Sequence, residues 1–147
     1  MGLAENMPIL IINYLFMTVT ISIKDETAGG DIFNEIPVSF ASELVSVKEI
    51  IRARVFADVA AYNLALPEYF QGLVQPGEAE VTLNGYKMKE RRKVDAEKQY
   101  GIALDAFSKN GYFVLIDNIQ AEDAEQMVVI NADTEISFIK LTPLVGG

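Results

Sequence analysis

The residues with the most direct chemical use stand last: Gly146 and Gly147 close the sequence. A carboxylate is a poor electrophile, so joining it to an amine or a sulfur requires prior activation, typically as an adenylate. An activating enzyme must draw the terminus into a narrow site beside the nucleotide. Glycine, without a Cβ, permits that close approach. Pro143 cannot donate to a strand ladder and ends any pairing before the tail. Pro143, Leu144 and Val145 are therefore expected to present the two glycines. At a glycine content of about 7%, such an ending arises by chance in about one chain in two hundred. The pair gains meaning only from the elements that precede it.

Other candidate chemistry is sparse. The 147 residues include no cysteine and no histidine. That excludes disulfides, thiolate ligands and any Ser-His or Cys-His nucleophile, and it leaves carboxylates alone for a metal site. No catalytic residue, metal or cofactor is expected. Asp117, Glu122, Asp123 and Glu125 lie close together but lack EF-hand spacing, and they read as a solvated loop. Thr27-Ala28-Gly29-Gly30 has neither the lysine nor the spacing of a phosphate-binding loop, so it reads as a hairpin turn. Lys87 to Lys93 (KMKERRK) holds five of the twelve cations. It reads as a solvated connector, with an acidic partner as the alternative. The net charge of −9 argues against nucleic acid.

Half the residues are apolar and 22% are charged, as in a globular protein with one core. Pro8 to Phe16 is apolar but far shorter than the roughly 20 residues of a spanning helix. It lacks the basic flank and cleavage site of a secretory signal. Residues 1–16 are read as an extension upstream of the natural start, or else an accessory strand, before a strand-like segment opened by Met17. The absence of cysteine fits a reducing, cytoplasmic setting, and no membrane contact is expected.

The elements that must position the tail follow from periodicity. Val19, Ile21 and Ile23 alternate with polar residues, as do Ile36, Val38 and Phe40, with DETAGGD between them, so a hairpin is predicted. Ser46 and Glu49 form a capping box, with Val45 and Ile50 spaced as a hydrophobic staple. Val47, Ile51, Val55, Val59 and Tyr62 then make one helical stripe that Pro67 terminates. Asn84-Gly85 predicts a type I′ hairpin between Val81–Leu83 and Tyr86–Met88. A second helix is predicted from about Asp95 to Lys109, with Tyr100, Ala103, Leu104 and Phe107 buried. Tyr112–Ile116 and Glu135–Leu141 read as strands, the latter with Ile136, Phe138 and Lys140 on one face.

This order, the segment YFVLIDNIQAED (Tyr112–Asp123) and the ending DTEISFIKLTPLVGG (Asp133–Gly147) resemble ubiquitin-like proteins. The ending is most similar to the sulfur carriers of molybdenum-cofactor and thiamine synthesis. The resemblance spans about residues 17–66 and 111–147. It implies an α+β, β-grasp (ubiquitin-like) fold, a mixed sheet packed on one helix, with an inserted hairpin and second helix at about 67–110. The domain would span 17–141 and carry a free tail at 142–147. The insertion, with its own turn and cap signals, is expected to be separable. The resemblance further implies a non-enzymatic protein. Its Gly147 would be adenylated by an ATP-dependent activating enzyme and conjugated to target proteins, with a conjugating enzyme as a possible further partner. The alternatives are a sulfur carrier bearing a terminal thiocarboxylate and a non-covalent binding module.

Overall fold

The computed structural model describes residues 18–141. The expected extension at 1–16 and the tail from Thr142 to Gly147 lie outside the described residues. Strand β1 (Val19–Glu26) and strand β2 (Ile32–Phe40) form the predicted antiparallel hairpin. Val19, Ile21 and Ile23 are buried, as their alternation requires. The turn is closed by Gly30 N–H donating to the Thr27 carbonyl at 2.9 Å, with Gly30 at φ 92°.

A short strand β3 (Leu44–Ser46) leads into helix α1 (Val47–Ala65). Ser46 caps it in full: its Oγ accepts from Glu49 N at 3.2 Å, and Glu49 Oε2 accepts from Ser46 N at 2.8 Å. The next orphan donors are satisfied from afar, Val47 N by the Gln126 carbonyl and Lys48 N by that of Ala124, both at 2.9 Å. Leu66, in a left-handed conformation, closes the other end just before Pro67.

The 67–110 segment carries β4 (Tyr69–Phe70), β5 (Glu80–Thr82) and β6 (Gly85–Lys87), which form a three-stranded sheet, and helix α2 (Ala96–Ser108). Asp95 caps α2 through its carboxylate. Ala103 and Phe107 of its expected inner side are buried and Tyr100 and Leu104 half-buried, with Gln99 added. Two expectations are corrected here. Thr82 pairs with Gly85, so the hairpin loop is Leu83-Asn84, and neither has the positive φ of a type I′ turn. Nor is the segment a satellite. Phe70, Leu73, Val74, Ala103 and Phe107 belong to the same buried cluster as Val19, Ile50 and Phe138. The separate turn and cap signals describe local structure, whereas the apolar faces need the main core.

Strands β7 (Tyr112–Ile116) and β8 (Ile119–Gln120) form a second hairpin. Its Asp117-Asn118 turn has both residues at positive φ, 49° and 65°, the pattern the type I′ turn demands. Strand β9 (Met127–Val129) pairs with β3, and β10 (Ile136–Lys140) completes the main sheet. The order is β2-β1-β10-β7-β8, mixed, with β10 parallel to β1 and antiparallel to β7. The chain is thus an α+β domain in which the last described strand sits at the centre of the sheet.

Candidate functional site

The described chain ends where β10 leaves the sheet, at Lys140 and the half-exposed Leu141. None of Pro143, Leu144, Val145, Gly146 and Gly147 falls among the described residues. What surrounds their point of departure is well defined. A groove of about 260 Å³ opens there between the end of the first hairpin (Thr27, Phe33) and the inserted sheet (Phe70, Val81, Tyr86), with Lys140 in its wall. A second recess of about 250 Å³ reaches inward to Asp25, Asn34 and Gly72.

Lys140 follows Ile136 and Phe138 on the inner face, so its side chain enters protein rather than water. Its Nζ donates to the Gly72 carbonyl at 2.8 Å and lies 5.5 Å from the Tyr86 ring centre. Burial holds its ammonium below the ordinary lysine range, against the pull of Asp25 and Asp58. The bond ties β10 to the insertion at the root of the tail.

Beneath the recess lies a buried charge cluster. Arg54, 0% exposed, projects from the core face of α1. Its Nε donates to both Asp58 oxygens at 3.0 and 3.1 Å, and its two terminal nitrogens grip the Asp25 carboxylate, Nη2 to Oδ2 at 2.7 Å. Asp25 Oδ2 also accepts from Asn34 Nδ2 at 3.1 Å, and Asp58 Oδ2 accepts from Leu73 N at 3.0 Å. The guanidinium carbon sits 5.2 Å from the Phe138 ring centre. Burial opposes charge on Arg54, but Asp58 and Asp25 outweigh it and hold the group above its ordinary range. Burial pushes Asp58 upward against the pull of Arg54. Closed to solvent and fully partnered, the cluster is built to hold β1, α1 and the loop at Leu73 together rather than to attack a substrate.

Periodicity carries a signal for these residues even though they are polar. Asp25 continues the inward phase of Val19, Ile21 and Ile23, and Arg54 and Asp58 fall on the stripe that includes Ile51, Val55 and Tyr62. Counting only apolar residues hides them.

The remaining sequence candidates are dispersed. Asp117, Glu122, Asp123 and Glu125 are exposed; Asp117 and Asp123 accept backbone N–H groups of Glu135 and Glu125, and Glu125 pairs with Lys48 at 2.9 Å. Among the described residues, no group of three or more carboxylates is arranged to hold a metal ion. No helix among them is long and apolar enough to cross a membrane. Comparison with protein-family models, with curated proteins and with solved structures gave no match.

Proposed function

We propose that the domain is a ubiquitin-like β-grasp. It presents Gly147 to an ATP-dependent activating enzyme for conjugation to target proteins and has no catalytic role of its own. The observation that carries this reading is the central place of β10. The last described strand, inserted parallel to β1 between the two hairpins, ends beside Leu141 at the middle of the sheet's edge, which suits it to lead into a presented segment. The single long helix α1, connecting the first hairpin to the rest and packed on the sheet core, supports the same reading.

In this reading residues 142–145 lead to Gly146-Gly147, whose lack of Cβ atoms suits the narrow approach to an adenylation site. Conjugation is favoured over sulfur delivery by the bulk of the 67–110 segment, whose apolar residues are part of the fold. The partners this implies are the activating enzyme, a conjugating enzyme and cytoplasmic target proteins.

ATP–pyrophosphate exchange with a ubiquitin-like-activating (adenylating) enzyme of the native host tests the reading. Removing Gly147, or Gly146→Arg, is expected to abolish exchange while leaving the melting temperature unchanged. Exchange that persists in both variants overturns it. Intact-mass measurement of tagged protein from the native host then separates the outcomes. Amide-linked larger species support conjugation, and replacement of one terminal oxygen by sulfur assigns the carrier role instead.

A further inference from the structure

The charge of the chain is unevenly placed. Six of the twelve cations and three of the 21 carboxylates lie within residues 87–98, so that stretch carries +3 while the remainder carries −12. Lys87, Lys89, Arg91, Arg92, Lys93 and Lys98 are all exposed. Lys87 reaches Glu68 only at 3.9 Å and Arg92 pairs with its neighbour Glu90, whereas Lys89, Arg91, Lys93 and Lys98 make no ion pair among the described residues. An unpaired cationic run on an otherwise acidic protein is not required for solubility, which the −12 already supplies.

Lys89, Arg92, Lys93 and Lys98 border a cleft of about 510 Å³ between the Pro76–Ala79 turn, the 88–95 connector and the first turns of α2. Of the cleft's three carboxylates, Glu90 pairs with Arg92 and Asp95 caps α2, which leaves Glu78 against the unpaired Lys89, Lys93 and Lys98. The cleft has apolar walls, from Ala79, Met88, Val94 and the 42% exposed Ile102. A charged rim around an apolar floor calls for a ligand with both features.

We propose that this cleft is a docking site for a short acidic segment of a partner protein, one carrying an apolar anchor flanked by Asp or Glu. Complementarity of charge selects the sign of the partner, and the floor selects a side chain over a bare polyanion. A screening length of about 8 Å at physiological salt lets the unpaired Lys89, Lys93 and Lys98 at the rim act on a short peptide despite the net negative charge of the chain. A nucleic acid would run beyond the ridge onto acidic surface and be repelled. The site is remote in sequence from the tail and does not depend on activation at Gly147.

The test uses the full chain and a fluorescein-labelled synthetic peptide repeating Asp-Glu-Leu, followed by fluorescence anisotropy. Saturable binding is expected, weakening with salt and lost for the Asn-Gln-Leu analogue. Lys89→Glu/Lys93→Glu/Lys98→Glu should weaken it by about tenfold or more, and Ile102→Ser by a smaller factor. Amide NMR shifts should cluster at residues 76–79 and 88–102. Absence of saturable binding, equal affinity for the reversed-charge variant, shifts centred elsewhere, or tighter binding of a single-stranded oligonucleotide would each overturn the proposal.

Discussion

The five-stranded sheet and the 67–110 segment contribute to one core by different means. Two ladders of the sheet are long, eight paired positions between β1 and β2 and five between β10 and β7, while β1–β10 and β7–β8 pair over three and two. The inserted strands pair over two or three residues. Besides the apolar residues they share with the main core, they are attached by polar ties between their backbone and side chains of the main body. Lys140 reaches the Gly72 carbonyl, Asp58 takes the Leu73 N–H, and the Asn63 amide both donates to the Val94 carbonyl and accepts its N–H. Phe70 plugs the joint, 5.3 Å from the Tyr62 ring centre in an edge-on arrangement. A segment with little ladder of its own becomes rigid when its backbone is tied to side chains of a stable neighbour.

The most severe way to break this contrast is excision. Replacing residues 68–109 with a Gly/Ser linker removes Phe70, Leu73, Val74, Ala103 and Phe107 from the core. A buried Phe alone accounts for about 3–5 kcal/mol, against a total domain stability of about 5–15 kcal/mol. The product is expected to lose its cooperative thermal transition and its near-UV circular dichroism. A cooperative melt from the excised chain would show the sheet to be self-sufficient.

Next in size is the charge cluster. Arg54→Met leaves Asp25 and Asp58 buried without their cation, at an expected cost of about 3–5 kcal/mol in urea unfolding. Adding Asp25→Asn and Asp58→Asn should recover most of the loss, because the penalty belongs to unpaired charge rather than to missing bulk. A triple variant as weak as the single one would refute that account.

A smaller effect sharpens the view of the joint. A Cβ at Gly72 would lie 2.8 Å or closer to three Phe70 ring atoms. Gly72→Ala should therefore cost about 1–3 kcal/mol by overpacking, and Phe70→Leu should relieve part of it. Additivity of the two substitutions would deny the contact.

The smallest effect is a pH slope. Lys140 is depressed by burial, so the folded state disfavours its proton, and the penalty is complete below the folded pKa. As pH rises from there toward the ordinary value of 10.5, the penalty is released and stability is gained. Wild type should therefore gain relative to Lys140→Met between neutral pH and about pH 10. A flat difference would mean that the ammonium is not buried in solution.

Legibility in the sequence followed the same contrast. The hairpin at Val19–Phe40, the Ser46–Glu49 box and the α2 boundaries were readable because each is specified by residues near it in the chain. The Asn84-Gly85 signal misplaced its turn by one residue, since the pairing of β6 with both β4 and β5 fixes the register there. The integration of the insertion was not readable. It rests on Phe70 packing against Tyr62 of α1 and Phe107 against Tyr112 of β7, and apolar periodicity names a buried face without naming what covers it. The Arg54 cluster was hidden for a related reason, because its partners Asp25 and Asp58 look like surface residues until the fold brings them together.

The place of β10 also sets the order in which the domain can assemble. The β1–β2 and β7–β8 hairpins close over short loops and can form early. The Lys24–Ser137 pairing joins residues more than a hundred positions apart, and loop closure makes such contacts late. Until β10 inserts, β1 and β7 each expose an open hydrogen-bonding edge, the geometry that recruits a second chain. The central strand is thus the clasp of the folding reaction. Phe138, fully buried on it, is the side chain whose truncation should prolong the interval in which a nascent domain is open to mispairing.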